Sequence, residues 1–368
     1  MGSGIVGAFD CCAPSDRHDC SGCTAPPIRL HPDRRTALEI LWLLLGIALL
    51  LVAFVDALWT TLWVDGGAGP LSSRLTTWAW RGVLAVVGRR RHRALSLFGP
   101  TIITTVVVTW VVLLWAGWVL VFASDPGSLL STSDYRSVAD WPGRIFFVGY
   151  SISTMGNGDY APQGAWRIVA SLTTLSGFFL ATLAISYLLS VLGAVVAKRA
   201  FAGQVTGMGK TAEDFLKSAW DGESFRTLDL PLNSISGMLG ALTEQYLSYP
   251  ILQYYHAAEP AKSPAVGIAV LDEALTLLRY GVPEPYRPSR AILHSGRAGV
   301  QSYLDTLASA FIGPAEEAPP APSLDKLREA GIPTVDDHEF SEALGELDER
   351  RRKLLGLVRT DGWNWSDR

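Results

Sequence analysis

Charged residues are scarce in this chain. Only 18% of its 368 residues are Asp, Glu, Lys or Arg, whereas 49% are hydrophobic; ordinary globular domains carry roughly a quarter charged residues. This shortage argues against a wholly soluble protein. The 31 basic and 35 acidic residues give a net charge of −4, so nucleic acid is not an expected partner.

The charges that are present are unevenly placed. Residues 1–197 hold 13 Arg and 11 acidic residues, whereas residues 198–368 hold 18 Lys or Arg and 24 acidic residues. An apolar half therefore precedes a charged half. This division predicts a membrane part followed by a soluble part.

Cysteine is confined to the start of the chain. All four cysteines, Cys11, Cys12, Cys20 and Cys23, lie within thirteen residues, with His18 among them. Cys20 and Cys23 have the spacing of half a zinc knuckle, which makes them the candidate metal ligands. A tail outside the cell would equally permit disulfides. We expect disulfides or free thiols, with a metal site at Cys20 and Cys23 as the alternative.

Three apolar runs predict membrane-spanning helices. They cover residues 37–64, 101–123 and 168–197, and the last run stops at the basic pair Lys198-Arg199. At about 1.5 Å per residue each run exceeds the roughly 30 Å hydrocarbon core of a bilayer. The first run begins too late in the chain for a cleaved signal peptide. Three spans place the two termini on opposite sides of a cell membrane.

A basic segment, residues 65–100, separates the first two spans. Within it, residues 71–99 carry six arginines and no acidic residue, so the positive-inside rule places them in the cytoplasm. The N-terminal tail, residues 1–36, is then outside the cytoplasm. Residues 75–87 are aromatic and apolar but short, which favours an interfacial amphipathic helix over a fourth span.

The soluble part is predicted to be helical. In residues 200–313 apolar side chains recur at helical spacing, which indicates a cytoplasmic helical domain. Residues 314–338 are rich in proline and read as a linker. Residues 339–368 predict one final helix whose apolar face packs on the same subunit, with a short intersubunit bundle as the alternative.

Other signals for catalysis or ligand binding are weak. Residues 203–211 resemble a phosphate-binding loop, but Gln204 stands where that motif needs glycine, and an apolar helix precedes it in place of a strand. We expect a flexible connector there. His256, His294 and His338 have no partner at ligand or catalytic spacing. We therefore expect that the protein is not an enzyme. The sequence does not identify a ligand for the cytoplasmic domain.

The segment between the last two spans carries the strongest functional signal. It is polar as a whole, yet it contains the apolar stretch 142–152, followed at once by the loop 153–160. A re-entrant helix and loop fits this pattern, because irregular backbone survives at membrane depth only where it is buried in protein or lines a wet cavity. Gly156 and Gly158 allow alternating backbone dihedrals that point successive carbonyl oxygens at one axis, where they can replace an ion's hydration shell. The alternative is a glycine-rich turn that has this sequence by coincidence.

This loop resembles the selectivity filter of the tetrameric potassium-channel superfamily, usually Thr-Val-Gly-Tyr-Gly-Asp. The resemblance covers residues 101–199 and implies an all-α membrane protein with a two-transmembrane-type pore of the prokaryotic kind. The first span and the helical cytoplasmic domain are additions to that pore. The implied elements are an outer helix at 101–123, a pore helix at 142–152, a filter at 154–159 (Thr154, Met155, Gly156, Asn157, Gly158, Asp159) and an inner helix at 168–197.

The resemblance also implies roles and partners. The residues from Thr154 to Gly158 would bind the permeant ion, and Asp159 and Ser153 would support the filter. A carbonyl-lined pore needs four such segments, so we expect a homotetramer in a lipid bilayer, with potassium as the permeant ion and no cofactor. Asn157 replaces an aromatic residue that braces the family's filters, which leaves a weakly selective monovalent-cation channel as one alternative. A non-conducting receptor or scaffold that uses the pore fold to oligomerise is the other.

Two residues inside the spans need an explanation. Gly177 lies near the position of a hinge glycine in related channels, so it serves either as a hinge or in close helix packing. Asp56 needs a partner because an unpaired charge in a membrane is costly. We expect a structural pair with an arginine of residues 89–93, with a voltage or proton sensor as the alternative.

Overall fold

The computed structural model describes most of the chain, and three predictions fall outside its described residues. These are the state of the N-terminal cysteines, the arginines at 89–93 and the conformation of Asn157. The described ranges are 33–63, 67–87, 96–133, 137–156, 158–308 and 313–367.

Three helices of the described chain are long and apolar enough to cross a membrane, and they match the three predicted spans. Two further helices accompany them, one after the first span and one in the re-entrant position. The helices of the membrane part are α1 (Asp33–Leu62), α2 (Pro70–Val87), α3 (Phe98–Ala123), α4 (Trp141–Ile152) and α5 (Trp166–Met208).

Helices α1 and α3 pack against each other through small residues. A Cβ atom added to Gly46 would lie 2.8 Å from the carbonyl oxygen of Gly117. Further along α1, Asp56 contacts Trp110, which precedes Gly117 in α3. The order of these contacts shows that the two helices run antiparallel, and glycines at the contact allow the close approach.

Helix α2 matches the predicted interfacial helix. It is not among the described helices that could cross a membrane. The ring of Trp80 lies 5.4 Å from the ring of Tyr254, which belongs to the soluble part of the chain. Helix α2 therefore lies against the soluble part, and its position at the membrane interface stays a prediction.

Helix α5 is longer than predicted. It continues without a break to Met208, so the prediction of a flexible connector at 203–211 is wrong for the first six of those residues. Phe201, Ala202 and Val205 are fully buried, and Phe201 and Val205 belong to the core of the soluble domain. The inner helix continues because its last two turns carry apolar side chains at helical spacing, which the soluble core covers.

The soluble domain consists of short helices around one central helix. Every residue of that central helix, α8, is buried, and a π-helical turn at Leu277–Gly281 extends it. The helices are α6 (Ala212–Ala219), α7 (Asp229–Ser248), α8 (Pro264–Thr276), α9 (Arg290–Ala308), α10 (Asp325–Arg328), α11 (Asp337–Glu346) and α12 (Asp348–Thr360).

The C-terminal segment, residues 314–368, differs from its prediction in two ways. The single final helix is two helices, α11 and α12, which break at Leu347; the break lets Phe340 and Leu354 reach the same core. The predicted linker is packed, because Leu327 is fully buried in that core. The apolar face of α12 packs within the same chain, as expected.

The soluble and membrane parts share a boundary. A 3₁₀ segment at Pro250–Tyr254 follows α7, and its residues Ile251 and Leu252 belong to the apolar core formed by the membrane helices. The soluble domain is therefore packed directly against the membrane helices.

Candidate ion-conduction site

Helix α4 is fixed at its start and along its length. The side chain of Asp140 accepts a hydrogen bond from the Gly143 amide at 2.8 Å, which caps the helix. Pro142 occupies the first turn, where its missing N–H costs nothing. The indole N–H of Trp115 in α3 donates to the Ile145 carbonyl at 3.0 Å. The short helix is thereby held against the outer helix α3.

The loop after α4 is anchored to the end of that helix. The amides of three successive loop residues donate to carbonyl groups of the last helical turn, which satisfies carbonyls that a helix end leaves open. The Ser153 hydroxyl reinforces this anchor, which supports its predicted role at the filter. The bonds run from the Ser153 amide and hydroxyl to Gly149 (3.2 and 2.8 Å), from the Thr154 amide to Ser151 (3.1 Å) and from the Met155 amide to Tyr150 (3.0 Å).

Three successive carbonyl groups in the middle of this loop lack hydrogen bonds to the described residues. Among the described residues, the carbonyl oxygens of Thr154, Met155 and Gly156 accept no hydrogen bond. Thr154 (φ 61°) and Gly156 (φ 74°) adopt left-handed backbone conformations on either side of Met155. A left-handed threonine is strained by about 1 kcal/mol or more, and such strain concentrates at functional sites. Met155 is 71% exposed within a single chain.

Thr132, a residue that no sequence pattern had indicated, holds the far end of the loop. The Thr132 hydroxyl donates to the Gly158 carbonyl at 2.7 Å, and the Thr132 amide donates to the Asp159 carbonyl at 3.0 Å. The Gly158 carbonyl, expected to face the ion, is therefore already engaged by this chain. Thr132 follows strand β1 (Leu129–Ser131), which pairs antiparallel with β2 (Tyr160–Pro162).

Asp159 lies beside the start of the pore helix. Its neighbours Tyr160 and Asp140 line the same open cavity. The Gly143 backbone approaches Tyr160 so closely that an added Cβ would lie 2.5 Å from the tyrosine hydroxyl. Asp159 thus lies in the cavity beside the start of α4, and its role in supporting the filter stays a prediction.

Gly177 serves close packing. A Cβ atom at this position would lie 2.2 Å from the Ile152 carbonyl oxygen, at the end of α4. One residue earlier, the Ser176 hydroxyl accepts a hydrogen bond from the Trp118 indole at 2.9 Å. Helix α5 is continuous through this contact. The inner helix therefore meets the base of the filter loop at Gly177, whereas its role as a hinge stays a prediction.

Asp56 is buried and has neutral partners. It accepts hydrogen bonds from the Trp110 indole (2.8 Å), the Ser72 hydroxyl (2.5 Å) and the Leu71 amide (2.8 Å). Only 1% of Asp56 is exposed. Two of these donors come from the first turn of α2, where a negative charge is favourable. Among the described residues, Asp56 is thus held by neutral donors, and its pairing with an arginine of residues 89–93 stays a prediction.

A second buried charge lies where α5 leaves the membrane part. The Lys198 ammonium donates to the carbonyls of Leu252 (3.1 Å) and Tyr255 (2.8 Å). It also lies 5.5 Å from the centre of the Tyr246 ring, a cation–π distance. Lys198 was predicted as a membrane anchor; it also joins the inner helix to the soluble domain.

The prediction that His256 lacks a partner is wrong. Its Nδ1 atom lies 3.3 Å from Oδ1 of Asp361, whose other oxygen accepts from the Ser263 hydroxyl at 2.5 Å. Burial alone would raise the pKa of the Asp361 carboxyl, but the hydrogen bond from His256 and the charge of Lys198 hold that pKa below its ordinary value. The Ser263 hydroxyl bonds to the carboxylate, so the three side chains form a structural network.

Two membrane helices that flank a re-entrant helix and loop define the pore class of membrane protein. Comparison with known proteins agrees. The family described as "Ion channel" matches residues 101–194. The "Uncharacterized membrane protein YdjJ" of Bacillus subtilis (strain 168) is 40% identical over 325 residues, which is 88% of this chain and 95% of that protein. No solved structure matches. The chain belongs to the ion channel family.

Proposed function

We propose that this chain forms a homotetrameric cation channel that prefers potassium. The observation that carries the proposal is the row of free carbonyl oxygens at Thr154, Met155 and Gly156. The amides of Thr154 and Met155 donate to carbonyls at the end of α4, and Gly156 adopts a left-handed backbone conformation. The three carbonyl oxygens are therefore available to replace an ion's hydration shell. Asn157 would continue this row, whereas the Gly158 oxygen belongs to the clamp from Thr132.

Two features of the single chain support the tetramer: it has one filter segment, and one face of α5 is apolar and exposed. One chain supplies one filter segment, and a ring of carbonyl oxygens needs several such segments around an axis. Helix α5 also presents large apolar side chains at helical spacing that stay exposed to the described part of their own chain. These are Leu175, Phe178, Ile185, Leu189 and Val196, each 58% to 67% exposed.

The orientation follows from contacts at the two ends of the membrane part. The Trp42 ring in α1 lies 5.6 Å from Trp141, the first residue of α4, so the start of α1 and the filter loop share one side. Gly99 packs against Tyr255 of the soluble part, so the basic segment and the soluble domain share the other side. The arginine-rich loop assigns that second side to the cytoplasm.

Ion flux into liposomes tests the proposal. Purified protein should load rubidium, a potassium substitute, and potassium should compete better than sodium. Gly156→Ala should abolish the flux because alanine disfavours the left-handed backbone at this position. Gly240→Ala is the matched control: Gly240 lies in α7, and an added Cβ there meets nothing within 4 Å.

The outcomes separate the rival functions. Equal competition by potassium and sodium would identify a weakly selective cation channel, the function that the replacement of an aromatic residue by Asn157 favours. In that case Asn157→Tyr should restore a preference for potassium. An intact tetramer without flux in either variant or wild type would favour the receptor or scaffold. Undiminished flux through Gly156→Ala would contradict the filter assignment.

A further inference from the structure

A cavity of about 350 Å³ lies where the membrane helices meet the soluble domain. This volume is within the range of small-molecule sites. Its walls come from the end of α1, from α2, from α5 and from the soluble segment around Pro250–Tyr254. The lining residues on which the argument rests are Thr60, Thr76, Thr77, Tyr187, Tyr246 and Tyr254.

Among the residues that the structure describes, the lining of this cavity includes no charged side chain. It combines aliphatic and aromatic surface with hydroxyl groups and one amide. An anionic or cationic group inside would lose its hydration without a counter-charge, which is costly. An uncharged ligand with a long apolar part and a small hydroxyl-bearing head avoids that cost.

The hydroxyl groups of the lining are complementary to such a head group. The hydroxyls of Thr76 and Thr77 donate to the Ser73 carbonyl in their own helix, at 3.0 and 2.7 Å, so their lone pairs remain available as acceptors. Tyr187 is 95% buried, and among the described residues its hydroxyl has no hydrogen-bond partner. A ligand hydroxyl could donate to a threonine and accept from Tyr187.

The position of the cavity indicates where such a ligand would come from. Thr60 lies in the last turn of α1, and Tyr187 lies eleven residues before the basic exit of α5 at Lys198. The cavity thus lies at the end of the membrane helices that meets the soluble domain. In the orientation proposed above, this end faces the inner surface of the bilayer, where the head groups of membrane lipids lie. We propose that it binds an uncharged single-chain lipid of the monoacylglycerol type, which would contact α2, α5 and the soluble domain at once.

Binding to the full-length protein in phosphatidylcholine nanodiscs tests this proposal. The probe is decanoylglycerol, and its charged counterpart of equal chain length is decanoate; both are measured by native mass spectrometry. Decanoylglycerol should bind saturably and at least tenfold more tightly than decanoate. Because the readout is binding, it does not depend on ion flux or on the proposed function.

Two tyrosine variants locate the site. Tyr187→Phe removes the free hydroxyl and keeps the ring, and it should weaken decanoylglycerol binding about fivefold, the equivalent of one neutral hydrogen bond. Tyr249→Phe is the matched control, since its ring lies 6.1 Å from that of Tyr187 but does not line the cavity. Thr76→Phe, which fills the cavity, should abolish saturable binding.

Three results would overturn the proposal. They are tighter binding of decanoate than of decanoylglycerol, identical binding by wild type and Thr76→Phe, and absence of saturable decanoylglycerol binding. Identical decanoylglycerol binding by Tyr187→Phe and Tyr249→Phe would show that the Tyr187 hydroxyl does not contact the ligand. That result would also refute the hydrogen-bond complementarity between lining and head group on which the proposal rests.

Discussion

Replacing Gly177 by alanine should push the inner helix away from the base of the filter. The new Cβ would lie 2.2 Å from the Ile152 carbonyl oxygen and 2.7 Å from the Ile152 Cα, whereas real Cβ atoms essentially never approach other atoms closer than 3.0 Å. The two backbones must therefore separate by about 0.8 Å. Rotation of a side chain cannot relieve the clash, because both contacted atoms belong to the backbone.

The expected cost lies at the upper end of the usual range for overpacking, about 3 kcal/mol. Alanine is favoured over glycine within a helix by up to about 1 kcal/mol, which opposes this cost. Gly193→Ala gives the matched reference, because Gly193 lies in the same helix and an added Cβ there meets nothing within 4 Å. The difference between the two variants isolates the contact with Ile152.

Thermal unfolding in nanodiscs, followed by tryptophan fluorescence, measures this difference. Gly177→Ala should unfold several degrees below Gly193→Ala, and it should also conduct less, since Ile152 leads directly into the filter loop. Equal unfolding temperatures would refute the packing argument. Equal temperatures with altered channel opening would instead support the hinge that the sequence suggested.

Three further perturbations test the buried polar contacts. Trp110→Phe should destabilise the protein by about 1–3 kcal/mol, because Asp56 then loses a donor inside the membrane part. Asp361→Asn should lower the unfolding temperature at pH 7; because the folded-state pKa of this carboxyl is depressed, its contribution is present above about pH 4 and is lost as the pH falls further. Arg350→Met should cost up to about 3–5 kcal/mol, because the buried Asp272 carboxylate loses the guanidinium that bonds to it at 2.5 Å and keeps only the charge of Arg297 nearby.

Each of these perturbations has its own control. Trp78→Phe changes a 74% exposed indole and should leave the unfolding temperature unchanged. For Asp361→Asn, the unfolding temperature should fall below that of wild type at pH 7 only. An equal difference well below pH 4 would show that the charge of the carboxylate is not the cause. For Arg350→Met, the addition of Asp272→Asn should recover most of the lost stability; a double variant as unstable as the single one would contradict the ion-pair argument.

The local patterns of the sequence predicted the membrane part well. Runs of apolar residues located the three spans, because a bilayer demands length and apolarity from consecutive residues. The filter loop was predictable because its glycines and its anchoring pore helix lie within about twenty residues of each other. The hydrogen bonds from Thr132 to the end of this loop were not predictable. Thr132 lies more than twenty residues before Gly158, and a single threonine in a polar loop has no distinguishing pattern.

Contacts between distant parts of the chain could not be read from the sequence. His256 and Asp361 are separated by more than a hundred residues, and neither position has a local motif. The length of α5 was underestimated because Phe201 and Val205 follow a basic pair that usually marks a membrane boundary, while their burial depends on helix α8. The packed state of Leu327 was missed for the same reason: proline-rich composition suggests a linker, and tertiary packing overrides it.

The reversal potential under bi-ionic conditions tests the central claim most directly. Wild-type protein in a planar bilayer, with potassium chloride on one side and sodium chloride on the other, should give a current that reverses at a voltage favouring potassium, and Gly156→Ala should give no current. A reversal potential near zero would contradict potassium preference. Current through Gly156→Ala that matched wild type would contradict conduction through the carbonyl oxygens of this loop.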